Sequence, residues 1–336
     1  MGVVRYIMAF SVLIAHFNVA NNADYYWPVS SYNAVGGFFA ISGFLMAGSY
    51  LRRPDWKQYL LSRCRRILPP YWTTVILFAL ILYFYSSAPH YFFSGQFWKY
   101  LVANLCFLNF IEPELPGVFQ NLGIHAVNGS LWTMKVEWML YITVPFASYA
   151  LTRWSKQSFV VISIIYILSM IYRGVFSMLY INTGAEIYNI LSRQFIGQLM
   201  FFYSGVLVYY YFDLFMRLRR WILPIALILV VLLHRYHVFV VTCEPLAVSL
   251  ITLWFCMVGK WGPFEGRKDN ISYNIYLLHF PVCQLSAYYL LPERIGMAWA
   301  FAAVCGVTIL LSVFVNLCVE RPLKKKRTLH TPHFQQ

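Results

Sequence analysis

The sequence predicts an all-α, polytopic integral membrane protein of about ten transmembrane helices, with both termini in the cytoplasm. Three observations lead there: an apolar-rich composition, ten apolar runs of roughly spanning length, and an uneven division of cations between the loops. Of the 336 residues, 60% are hydrophobic and only 11% charged, with a mean hydropathy of +0.60. A soluble domain carries about a quarter charged residues, so a chain this poor in them cannot cover its apolar surface in water, and lipid is its expected solvent. The net charge of +14 does not indicate nucleic acid. A basic patch for that purpose sits on a soluble domain, whereas these cations lie between apolar runs.

A helix needs roughly 17–25 apolar residues to cross a hydrocarbon core. The first run, 3–20, has the outline of a signal peptide, one cation and then an apolar stretch. His16 interrupts it and no Ala-x-Ala site follows, so it is expected to stay as the first span. The second covers 33–51. Ahead of the third, Trp56–Leu68 reads as a helix lying on the membrane surface: Trp56, Tyr59, Leu60, Leu61, Cys64, Ile67 and Leu68 form an apolar arc. Pro69-Pro70 then precedes the run 71–87. Residues 97–111 are apolar but hold Lys99 and Asn104 and end in Glu112-Pro113-Glu114-Leu115-Pro116-Gly117, which suits an interfacial or re-entrant segment. The remaining spans are expected at 131–151, 158–174, 195–212, 221–235, 246–260, 271–291 and 297–319.

Cations give this series a direction. With the N-terminus inside, the cytoplasmic segments hold Arg52, Arg53, Lys57, Arg63, Arg65 and Arg66, then Arg153 and Lys156, then Arg217, Arg219 and Arg220. Lys260, Arg267 and Lys268 follow, and finally Arg321, Lys324, Lys325, Lys326 and Arg327, for nineteen of the 26. Lys99, Lys135, Arg173, Arg193, Arg235 and Arg294 fall on or near the other side. This is the asymmetry of the positive-inside rule, and it predicts a multi-pass protein of the inner, cytoplasmic membrane. Residues 1–323 read as one membrane domain, and 324–336 as a polar, basic, disordered cytoplasmic tail. The seven cysteines show no paired metal spacing; they read as small core residues, with no metal expected.

Ionisable groups inside spans are costly and mark cavities or partners. Glu137 is the one carboxylate well inside a run, and His16 and His279 are the comparable histidines. Arg5 and His16 are eleven residues apart, which returns to nearly the same helix face about 16 Å along the axis. An imidazole there can remove a hydroxyl proton; the structural alternative is an interfacial Arg and a packing His. Thr133, Glu137 and Tyr141 share one face at i, i+4, while Lys135 points elsewhere, so Glu137 calls for a cation or His on another helix. An interhelical ion pair is the structural alternative. In Trp56–Leu68, Arg65 faces away from the apolar arc, whereas Arg63 and Arg66 are expected to point inward, where guanidinium forks grip phosphates. His279 lies two residues before Pro281, so its ring can serve carbonyls freed by that proline.

In order and placement these motifs resemble the family 3 membrane acyltransferases, which O-acylate surface polysaccharides and related glycans. The resemblance rests on Arg5 and His16, on Phe38-Phe39-Ala40-Ile41-Ser42-Gly43-Phe44-Leu45, and on Arg63-Cys64-Arg65-Arg66-Ile67-Leu68-Pro69. It continues through Ser130-Leu131-Trp132 to Glu137 and Tyr141, Ser272-Tyr273 to His279-Phe280-Pro281, and Glu320-Arg321-Pro322. Two departures stand out: Trp132-Thr133 where the family usually has Trp-Ser, and a first helix that opens almost at Met1.

The resemblance implies O-acyl transfer, most simply of acetyl, from cytoplasmic acetyl-CoA or another acyl-CoA to a hydroxyl of an extracytoplasmic glycan. It makes His16 and Glu137 the catalytic candidates and Arg5, Arg63 and Arg66 the donor-binding ones. Ser42, Trp132, Tyr141, Tyr273 and His279 are then substrate or structural supports. In this reading Glu137 orients His16, and the loop 88–130 contributes to the acceptor site. Direct attack and a transient acyl-enzyme both remain open, and a transporter or flippase of a lipid-linked glycan is the alternative function. Some relatives carry a hydrolase-like domain after the last helix; this chain ends in a short tail and is expected to act alone or with a separate partner. The expected partners are membrane lipid and the glycan.

Overall fold

The structure is a computed structural model that describes residues 1–153, 157–259, 261 and 271–323, and among these every regular element is helical. The cations Lys156, Lys260, Arg267 and Lys268 and the tail 324–336 lie outside the described residues. The helices are α1 (Gly2–Asn21), α2 (Ser31–Arg52), α3 (Trp56–Ile81), α4 (Gly95–Leu105), α5 (Trp132–Arg153), α6 (Ser158–Thr183) and α7 (Glu186–Ser192). They continue with α8 (Phe195–Tyr210), α9 (Phe212–Leu233), α10 (His237–Thr242), α11 (Glu244–Met257), α12 (Ser272–Tyr288), α13 (Leu291–Ile295) and α14 (Met297–Val315).

Each expected apolar run overlaps a helix, in whole or in part, among the described residues. Among the described residues, five segments are long and apolar enough to cross a bilayer: Gly2–Asn21, Ser31–Arg52, Trp56–Tyr85, Ser158–Thr183 and Met297–Leu323, with Glu244–Met257 a shorter apolar helix. The outward side chains of α6, among them Phe159, Ile164, Leu168 and Ile171, are exposed. Water would not tolerate such a face and lipid covers it; the chain is a multi-pass membrane protein. The eleven residues of α4 rise only about 16 Å, half of a hydrocarbon core of about 30 Å, in keeping with an interfacial or re-entrant segment.

One expectation is corrected. Trp56–Leu68 is not a separate surface helix, because α3 runs unbroken from Trp56 through Pro69 and Pro70 to Ile81. The fixed φ of proline fits a helix, and its cost is a lost N–H to the carbonyl four residues back. Those carbonyls belong to Arg65 and Arg66, both exposed, where polar surroundings can serve them.

The chain falls into two compact units. One is drawn from residues 1–8 and 29–61 with the described part of 136–266; the other from 9–28 and 62–135 with the described part of 267–336. In the first, α8 packs on α2, α6 and α11, and α11 also on α2 and α9. Met200, Phe201 and Phe202 of α8 are wholly buried; a helix apolar all round belongs inside a packed unit. Two glycines set the spacing of α2 and α8. A Cβ on Gly43 would run into the carbonyl oxygen of Phe202, and one on Gly205 into that of Ala40, so backbone meets backbone at both points. Beside them Arg173 is buried with its guanidinium over the rings of Tyr32 (4.5 Å) and Phe201 (5.9 Å), a cation–π arrangement. In the second unit, α12 packs on α14 and on the short helical turn Gly129–Leu131.

Candidate active site

The second unit brings together the two intramembrane histidines. His16, near the end of α1, places Nδ1 2.8 Å from Nε2 of His279, and the rings stack with centroids 5.0 Å apart. His279 is completely buried, and its Nδ1 lies 3.2 Å from the carbonyl oxygen of Ile275. A carbonyl can only accept, so Nδ1 of His279 carries the proton and Nε2 carries the lone pair. His16 therefore donates from its own Nδ1, and in the neutral ring its Nε2 is left as the basic nitrogen. Phe280 meets the His16 ring edge-on at 4.9 Å. A Cβ on Gly129 would come within 2.8 Å of the Phe280 ring, so the glycine is what leaves Phe280 room beside His16.

This geometry corrects the reading of His279 as a servant of Pro281. The proline frees the carbonyl of Leu277, four residues back, and that carbonyl is taken at 2.8 Å by the side-chain amide of Asn128. Asn128 is buried and turns its Oδ1 to the backbone N–H (3.1 Å) and hydroxyl (2.6 Å) of Ser130. Thr133 donates to the Ser130 carbonyl at 2.9 Å and lies 2.9 Å from the Tyr276 hydroxyl. Asn128 thus locks the turn before α5 to the helix that bears His279. Sequence reasoning passed over it. The available signal was an Asn-Gly turn pair beside the Ser130-Leu131-Trp132 motif, together with a proline that needed a donor from elsewhere.

Glu137 belongs to the first unit. Its carboxylate accepts from the Ser42 hydroxyl at 3.2 Å and from the Tyr141 hydroxyl in a very short hydrogen bond. The Tyr141 hydroxyl oxygen also lies 3.4 Å from that of Ser42. In place of the expected cation or histidine, the partners of Glu137 among the described residues are two hydroxyls, while His16 is hydrogen-bonded to His279. Tyr141 is the i+4 neighbour on the shared face, as the helix spacing required.

The remaining candidates are placed as follows. Arg5, near the start of α1, and Arg63 are half-buried, and the Nε of Arg63 donates to Ser62 at 3.0 Å. Arg66 was expected to point inward but is exposed, as is Arg65: continuing α3 through the prolines leaves that turn on the outside of its unit. The Tyr273 hydroxyl donates to the Ile67 carbonyl and to Met134 Sδ, both at 3.4 Å. It ties α12 to the turn of α3 just after Arg63 and Arg66. Trp132, half-buried, is the first residue of α5.

Helices with apolar side chains turned outward, in a chain that also buries a hydrogen-bonded histidine pair, define a class, a multi-pass membrane protein. More particularly, the chain belongs to the acyltransferase 3 family, whose model, described as an acyltransferase domain, matches residues 1–317. It is similar to a protein called O-acetyl transferase from Shigella phage Sf6, 24% identical over 299 residues, covering 84% of this chain and 83% of the relative. It is also similar to Nodulation protein 10 of Rhizobium leguminosarum bv. viciae, 21% identical over 308 residues, covering 87% and 82%. No solved structure matches it. The chain is therefore an enzyme that transfers acyl groups other than amino-acyl groups, and the transporter alternative falls.

Proposed function

We propose that the protein moves an acyl group, in the first instance acetyl, from cytoplasmic acyl-CoA to a hydroxyl of an extracytoplasmic glycan, with His16 as general base. The observation that carries this is the directed chain from His16 through His279 to the Ile275 carbonyl. It leaves Nε2 of His16 with the lone pair that a base needs.

In the reaction the acceptor hydroxyl gives its proton to Nε2 of His16 while its oxygen attacks the thioester carbonyl. The C–S bond breaks, and the CoA thiolate leaves as the thiol by taking that proton from Nε2 of His16, which returns the base to its neutral form. The imidazolium that forms on His16 keeps its Nδ1–H donated to the lone pair of His279, so the charge develops against a fixed acceptor. Direct transfer needs only this base; an acyl-enzyme would need a nucleophile as well. On the donor side, Arg63 and Arg66, one turn apart on α3, are suited to the phosphates of CoA, with Arg5 a further cation near the cytoplasmic start of α1. Glu137 then supports the enzyme through Ser42 and Tyr141, outside the proton path. The reading takes ten crossings, with both termini inside the cytoplasmic membrane, from the positive-inside asymmetry. Sequence similarity to a protein named O-acetyl transferase supports the choice of acetyl.

The test supplies labelled acetyl-CoA to membranes containing the wild type or His16→Ala and follows label into glycan. Wild-type membranes are expected to label glycan, and His16→Ala to do so at least about 100-fold more slowly. Full transfer by His16→Ala removes the base assignment. Label that remains on the protein and then chases into glycan replaces direct attack with an acyl-enzyme.

A further inference from the structure

We propose that a polar cavity at the ends of α1 and α12 seats the acceptor, and that the sugar it seats is electrically neutral. This rests on the acyl-transfer reading above and names the acceptor class for it. The cavity has a volume of about 290 Å³, and its polar wall is formed by Asn21, Asn22, Asn121, Gln284 and Glu293. Val19 and Ala20, also on the wall, follow His16 by three and four residues, one helical turn. Gln284 follows His279 by five. Both helices of the histidine pair thus present to the cavity the part that comes next along the chain.

The wall is built. Asn21 donates to the Phe17 carbonyl at 3.2 Å and accepts from the Ser286 hydroxyl at 2.9 Å, joining α1 to α12. Gln284 donates through Nε2 to the carbonyls of Ile124 (2.6 Å) and Ala126 (3.1 Å), which pins the 121–126 loop and leaves its Oε1 as an acceptor. Asn22, Asn121 and Glu293 are not engaged by any side-chain hydrogen bond among the described residues. Carboxamides that donate and accept, beside carboxylate and amide oxygens that accept, are complementary to sugar hydroxyls, which do both. The volume is at the lower end of small-molecule sites, about 300–1,000 Å³, which suits one or two sugar rings. Among the described residues the single charged group on the wall is Glu293; Arg294, the next residue, is not part of it. A uronate or phosphorylated sugar would bring a second anion against Glu293 with no cation among the described wall residues to answer it.

The test uses the full chain in cells that make its acceptor, comparing wild type with Asn121→Ala, Glu293→Ala and Glu293→Gln. Surface glycan is analysed by mass spectrometry for added acyl groups, with fragmentation to identify the acylated sugar. In parallel, the thermal shift produced by acetyl-CoA is measured on each purified chain. The two alanine variants are expected to acylate glycan about tenfold less or worse while keeping the acetyl-CoA shift, and Glu293→Gln is expected to fall less. The acylated sugar is expected to be neutral. Gly123→Cys, at a wall position where an added side chain meets no atom within 4 Å, is compared with itself before and after a membrane-impermeant thiol reagent. Wild type treated alike controls for the exposed Cys106, Cys243 and Cys318. Blocking of the variant alone supports the proposal. A wild type that acylates while the wall variants and the reagent-treated cysteine do so equally overturns the cavity assignment alone, as does acylation of an anionic sugar. A wild type that acylates no glycan overturns the proposed function itself and the cavity assignment with it.

Discussion

Asn128 donates its side-chain amide to the carbonyl of Leu277, the one acceptor that Pro281 deprives of a backbone partner, across 149 positions of sequence. An unmet buried carbonyl costs about 1–3 kcal/mol, so Asn128→Ala is expected to destabilise the protein by that amount. Pro281→Ala restores the missing N–H. In that background Asn128→Ala should cost at least about 1 kcal/mol less, a coupling that a double-mutant cycle by thermal or denaturant unfolding measures. Equal costs in both backgrounds would show that the amide does not serve this carbonyl.

His279 is a positioning residue in the proposed reaction. Its replacement by alanine is expected to lower kcat for acyl transfer about 100-fold with little change in KM for acyl-CoA. His279→Gln, whose Oε1 can accept from Nδ1 of His16, should recover part of the loss. A His279→Ala enzyme with wild-type kcat would remove the histidine pair from the mechanism.

Gly129 acts through Phe280. Gly129→Ala pushes on the ring that lies edge-on to His16 and is expected to cost about 1–3 kcal/mol of stability together with a measurable drop in kcat. Adding Phe280→Leu gives the new methyl room and should return part of both. Failure of the double variant to recover either would place the defect elsewhere.

The carboxylate of Glu137 depends on two hydroxyls. Tyr141→Phe and Ser42→Ala are each expected to cost about 1–3 kcal/mol. In the variant lacking both hydroxyls, Glu137→Leu should restore stability, because a half-buried carboxylate without donors is worse than an apolar group of similar size. Melting curves of the four variants decide this; further loss on adding Glu137→Leu would reveal another partner for the carboxylate.

Much of the helical layout was legible. The apolar runs 3–20 and 33–51 became Gly2–Asn21 and Ser31–Arg52, because a long apolar helix announces itself by composition alone. Pro69-Pro70 misled: tandem proline reads as a break, yet here the carbonyls it frees fall at exposed residues and α3 continues. The inward orientation expected of Arg66 failed with it. His16 and His279 stood out as the intramembrane histidines, but their pairing spans 263 positions, and no local rule reaches that far. For Glu137, Tyr141 was visible at i+4, whereas Ser42 came from another helix. A charged partner is not required there, because hydroxyls can satisfy a carboxylate.

The backbone contacts at Gly43 and Gly205 carry a consequence for motion. An enzyme that transfers acyl groups has to open somewhere to take in its substrates and release its products, and packed interiors shift between discrete arrangements more readily than they stretch. Where α2 and α8 touch main chain to main chain there is no side chain to swing aside, and a slide of one past the other would drive carbonyl oxygens into Cα atoms. These two helices therefore travel as a single strut, and any breathing that lets substrates pass has its hinge outside that pair.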